Sequence, residues 1–167
     1  GVGVVRERYW LTFQPGEVRV CASCHGLSQY DQAGHTAPTN SPEALRQLLK
    51  SWKLCHAVPV SSFYLEMRAA QYAAGQNLIV YELDLALLFA ELADIGFRDM
   101  NDPAQIVGRI PASSSPGARD VTTALAVDAA SAARRAWQAR TDKDGPEYWS
   151  AMYDIVGPDF PYRSTWS

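Results

Sequence analysis

Ser41-Pro42-Glu43-Ala44-Leu45-Arg46-Gln47-Leu48-Leu49-Lys50-Ser51-Trp52-Lys53 is the stretch that decides how the chain is read. Ser41 is a good N-cap residue and Pro42 suits the first helical position. Leu45, Leu48, Leu49 and Trp52 recur at i, i+3, i+4 and i+7, one apolar face of a helix. Arg46, Lys50 and Lys53 fall together on an adjacent face. Before this stretch no helical period is found; after it the pattern is helical to near the end.

Working outward, Pro59 closes the first helix or its loop. A second helix is expected over Ser62–Ala74, capped by Ser61 or Ser62 and stopped at Gly75. A third covers roughly Leu78–Asp94, before Gly96. A short helix is expected from the Asp102-Pro103 step to Gly108, with Asp102 as its cap. After a Ser-rich loop at 111–116, the longest helix spans about Gly117–Arg140, rich in alanine and of high intrinsic propensity. A last one runs over Pro146–Val156 and ends at Gly157-Pro158. The expected fold is mainly α: a bundle of five or six helices (41–167) carrying an irregular, strand-poor N-terminal arm (1–40).

Bulk properties bound the function. The 167 residues are 47% hydrophobic and carry a net charge of −3, enough apolar content for a core and no general basic footprint for nucleic acid. The most apolar run, Leu78–Leu92, is interrupted by Glu82, Asp84 and Glu91, so it is expected in a core rather than a membrane. Residue 1 is Gly and no charged-then-apolar leader follows, which suggests a processed or partial chain. Three cysteines do not suggest a disulfide framework. Cys55, in an apolar helical setting, is expected to be a small buried residue. Tyr64, Leu65, Tyr72, Leu85, Phe89 and Leu92 are expected in the core. Glu66 and Arg68 are expected to pair, Trp137 and Trp149 to staple the last helices, and Arg134 and Arg135 to be solvated or to face acidic neighbours.

Two strings carry possible chemistry. The first is Cys21-Ala22-Ser23-Cys24-His25-Gly26. Two thiols at this spacing reach the two haem vinyl groups, and the adjacent histidine lies under the iron. With Pro15–Val20, Asp31–Gly34 and Pro38–Leu45 around it, this string resembles the C-terminal segment of bacterial multidomain c-type cytochromes. The resemblance spans about residues 12–53 and implies haem c on Cys21 and Cys24, with His25 as proximal ligand. No distal ligand stands out; His35, His56, Met67 and Met100 are candidates. Haem is the leading reading of this string, a loop with two thiols comes second, and zinc is the weakest because no second ligand pair appears at metal-site spacing.

The second string is Leu48-Leu49-Lys50-Ser51-Trp52-Lys53 followed by Pro59-Val60-Ser61-Ser62-Phe63-Tyr64-Leu65-Glu66. A nucleoside triphosphate is held by cationic side chains, backbone N–H groups and a hydroxyl at a helix N-terminus. On residues alone, Lys50 and Lys53 are a solvated face and Ser62 a cap. With Asp102–Gly108, Ala129–Ala139, Tyr148-Trp149 and Gly157–Pro161, however, the string resembles the C-terminal helical, substrate-binding domain of the nucleotidyltransferase superfamily. Within it the string resembles bacterial cyclic-oligonucleotide synthases of antiviral (anti-phage) defence, relatives of oligoadenylate synthetases. The resemblance implies phosphate binding by Lys50 and Ser62, with Lys53 and Ser61 as neighbours, and a cytoplasmic nucleoside triphosphate with Mg²⁺ as its partner.

The paired carboxylates that such enzymes use for two Mg²⁺ ions are not found in the sequence. Asp84, Asp94, Asp99 and Asp102 belong to the helical body. The chain is therefore expected to bind nucleotide without transferring it, a catalytic domain or protein partner being supplied elsewhere. The alternatives are a periplasmic electron-transfer fragment, or a non-catalytic helical interaction module from a fused or misassembled gene.

Overall fold

A computed structural model describes residues 42–157. The arm, with Cys21, Cys24 and His25, lies outside the described residues, as do Ser41 and the string from Pro158 onward. The described body is mainly α, with the order α1 (Pro42–Cys55), α2 (Ser62–Ala74), α3 (Tyr81–Asp94), β1 (Met100–Asn101), β2 (Arg109–Ile110), α4 (Pro116–Asp142) and α5 (Gly145–Val156). The strands form one antiparallel hairpin with Met100 opposite Ile110 and Asn101 opposite Arg109. Among the described residues no helix is long and apolar enough to cross a membrane.

Helix α4 is the spine, packing along both α3 and α5, while α1 packs chiefly against α2. Its buried face is almost wholly alanine: Ala126, Ala129, Ala130, Ala132, Ala133, Ala136 and Ala139. Side chains this small let neighbouring backbones approach closely, so the large residues come from the other helices. Leu45, Leu48, Leu49 and Trp52 are all buried, the face read from the sequence. The Trp52 ring meets Phe89 edge-on, with centroids 4.7 Å apart. Tyr64, Leu65, Leu85, Phe89 and Leu92 are buried, and Tyr72 packs half-buried against them.

Polar side chains join the elements where alanine offers no grip. Glu82, 2% exposed, accepts from Arg140 Nη1 at 2.8 Å and from the Tyr148 hydroxyl at 3.0 Å, tying α3 to α4 and α5. Burial, followed by the Glu82 charge, pushes the Tyr148 hydroxyl pKa well up. Arg135 reaches Glu147 and Asp154 on α5, and Arg134 is exposed. Trp149 is buried edge-to-face with Tyr148, while Trp137 is half-buried.

Four expectations change. Helix α3 begins at Tyr81 rather than Leu78, which is exposed. Its N-cap, Val80, has no side-chain acceptor, and Asp84 reaches back one turn to take the Val80 N–H at 2.5 Å and the Tyr72 hydroxyl at 2.6 Å. Burial and this carboxylate raise the Tyr72 pKa. The start is thus fixed by a residue inside the helix.

Residues 102–108 are the loop of the hairpin, not a helix. The Asp102 carboxylate accepts the N–H groups of Ala104, Ile106 and Val107 at 2.9, 2.8 and 3.0 Å. Those bonds, Val107 first, hold its pKa below the ordinary carboxylate value. A side chain that satisfies three local donors competes with the helix ladder. Gln105 at φ 56° and Gly108 at φ 75° complete the loop.

Cys55 is exposed rather than buried. It ends α1 where α5 ends: its Sγ donates to the Val156 carbonyl at 2.6 Å. A Cβ on Gly157 would lie 2.7 Å from Cys55 Cβ and Sγ, so this close approach needs glycine. Finally, Glu66 and Arg68 do not pair. Arg68 donates to the Tyr64 hydroxyl and the Arg98 carbonyl, and Glu66 turns to α1.

Helix α4 stops at Lys143, a left-handed residue at φ 58° whose position glycine would occupy without the steric cost of a Cβ. Lys143 is exposed. Lys143→Gly is expected to stabilise the fold by about 0.5–1 kcal/mol, read as a higher urea midpoint at unchanged slope. An unchanged or lower midpoint contradicts the strain assigned here.

Candidate phosphate site at the α1–α2 elbow

The elbow between α1 and α2 is a six-residue turn with its own hydrogen bonds. Val58 N–H donates to the Lys53 carbonyl at 2.9 Å and Val60 N–H to the Val58 carbonyl at 2.8 Å. Ala57 takes a left-handed φ of 48°, and Val58 and Val60 are buried as anchors. The turn is also held from outside. Ser61 N–H donates to the Ala112 carbonyl at 2.7 Å, and the His56 ring nitrogen Nε2 sits 3.1 Å from the Ile155 carbonyl.

This geometry brings all four residues singled out by the sequence to one place. Lys53, in the last turn of α1, donates from Nζ to Ser62 Oγ at 2.7 Å. One turn earlier on α1, Lys50 forms an ion pair with Glu66, one turn further along α2. The two helices therefore face each other through two rungs, Lys53–Ser62 and Lys50–Glu66. Both members of the second rung are partly exposed, Lys50 at 25% and Glu66 at 35%.

The serines divide the work. Ser61 is the N-cap of α2 and its hydroxyl accepts the Tyr64 N–H at 3.4 Å, so its oxygen is committed to the helix. Ser62 is the first helical residue and its hydroxyl faces Lys53. The sequence left the choice of cap open between them.

Electrostatically the rungs differ. Lys50 has its charge balanced by Glu66. Lys53 meets a hydroxyl and no carboxylate among the described residues. It also sits beside the first turn of α2, where early N–H groups lack intrahelical acceptors and the helix dipole is positive. Two sources of positive potential meeting at a hydroxyl form a setting that an anion relieves.

Three of the four aspartates named from the sequence have structural partners. Asp84 caps α3, and Asp102 holds the hairpin loop. Asp99 accepts from Arg119 at 3.2 Å and from the Ala112 N–H at 3.2 Å. Of the residues named as possible distal haem ligands, Met100 is buried on β1 and His56 is held by α5.

Sequence reasoning missed Glu66 as part of the site. Its signal was the spacing from Ser62, i to i+4, which puts both on one face of α2. Compared with protein-family models, with curated proteins and with solved structures, the chain has no match.

Proposed function

We propose that this helical body binds a nucleoside triphosphate through its phosphates at the α1–α2 elbow, as the substrate-binding domain of a nucleotidyltransferase. The observation that carries the reading is the 2.7 Å contact of Lys53 Nζ with Ser62 Oγ at the start of α2, with Lys50 one turn away. A lysine, a hydroxyl and first-turn N–H groups are the donor set a phosphate accepts from. Lys53 stands closer to the helix start than Lys50, so it takes the leading role that the resemblance gave to Lys50. Antiviral signalling and a Mg²⁺-bound form of the nucleotide rest on the resemblance alone. So does a cytoplasmic setting. The haem reading rests on Cys21, Cys24 and His25, and no observation in the described body favours it.

Calorimetric titration of the chain with ATP and GTP in Mg²⁺ tests this. Binding is expected, and Lys53→Ala or Ser62→Ala should weaken it about tenfold, the worth of one charge-assisted hydrogen bond. Absence of binding, or binding that both variants leave unchanged, overturns the assignment.

A further inference from the structure

We propose that Glu66 is an internal counterion that competes with the ligand for Lys50, so that the elbow takes a chain of adjacent phosphates only by displacing this carboxylate. The inference rests on the phosphate-binding reading above and deepens it. Four positions make the argument. Lys53 and Lys50 are i and i−3 on α1, and Ser62 and Glu66 are i and i+4 on α2. Side chains at these spacings are neighbours about 5–6 Å apart along their helix. The two rungs therefore lie side by side, and a phosphate seated on Lys53 and Ser62 has Lys50 as its next cation.

That cation is already engaged. The Lys50–Glu66 pair has the same charge arrangement that a phosphate oxygen would make with Lys50. A single phosphate at the first rung gains nothing from Lys50 and is repelled by the Glu66 charge. A ligand with a second linked phosphate can replace the carboxylate at Lys50 without leaving that lysine uncompensated. Glu66 is already about a third exposed, so its released carboxylate moves into water rather than into a core. The chemical class that fits is a di- or triphosphate chain, as in a nucleoside triphosphate or a free polyphosphate.

Calorimetry of the full chain with sodium tripolyphosphate distinguishes the possibilities, using Glu66→Gln, Lys50→Met, the double variant and Lys53→Ala. Glu66→Gln keeps the side-chain shape and removes the charge. It is expected to tighten binding about fivefold, the scale of one partly exposed ion pair. In the Lys50→Met background the same change should act less than twofold, because there is no cation left to release. If Glu66→Gln leaves affinity unchanged or weakens it while Lys53→Ala still weakens binding about tenfold, the phosphate site stands and the counterion role falls. Equal tightening with and without Lys50 also overturns it, since that is simple repulsion. If the parent chain does not bind tripolyphosphate, or Lys53→Ala leaves its binding intact, both readings fall. Circular-dichroism melts of each variant show whether any loss comes from unfolding.

Discussion

Trp52→Ala is expected to remove about 3–5 kcal/mol of folding stability, a large share of what a domain of this size possesses. Trp52 is 1% exposed and lies where the apolar face of α1 meets α3 through Phe89. Truncation deletes the indole, the edge-on ring contact and the packing that neighbours cannot recover by collapsing, because Leu48, Leu49 and Phe89 are themselves buried. Urea unfolding followed by circular dichroism measures the loss, and Trp52→Phe should retain more than half of it. A loss under about 1 kcal/mol for Trp52→Ala contradicts the placement of this ring at the centre of the core.

The second large effect concerns charge. Glu82→Leu is expected to cost about 3–5 kcal/mol, because it deprives Arg140 and Tyr148 of the carboxylate they share while leaving both in place. By side chain Glu82 is 1% exposed and Arg140 28%, so water reaches the freed arginine only in part and offsets some, not all, of the carboxylate's loss. The double variant Glu82→Leu/Arg140→Met should recover at least half the loss, since apolar residues of similar size often replace a buried pair at little cost. Equal instability of single and double variants sinks the idea that an unmatched charge is the penalty. In that case the apolar replacements themselves do not fit.

Much of this architecture is legible in the sequence, and the parts that are not share a cause. The face Leu45, Leu48, Leu49 and Trp52 could be read because a helix repeats its geometry locally. The start of α2 was readable from Ser61-Ser62 for the same reason. At Leu78 the apolar run continues past the true boundary, and only the reach of Asp84 to Val80 and Tyr72 sets it. Asp102-Pro103 has the chemistry of a helix cap, yet the same carboxylate accepts three N–H groups just as well in a loop. Which outcome wins depends on the pairing of Met100 with Ile110, ten residues apart. At the candidate site, Lys50, Lys53, Ser61 and Ser62 are singled out by the resemblance, since residue type and position alone give a solvated face and a cap. The partnership of Lys50 with Glu66 is not, because it exists only once the elbow has brought two helices face to face. Cys55 was misjudged likewise: its exposure follows from its place at the end of α1 beside the end of α5.

That junction also sets a timetable. Cys55 meets Val156 across 101 positions of chain, and His56 meets Ile155 across 99. On a ribosome adding about 5–20 residues per second, roughly 5–20 s separate the synthesis of α1 from that of its fastening partner. During that interval the Trp52 face of the nascent chain has no completed core to enter. The final helical turn therefore acts as a latch closed last, and a chain stopped short of Ile155 leaves the oldest part of the body unfinished.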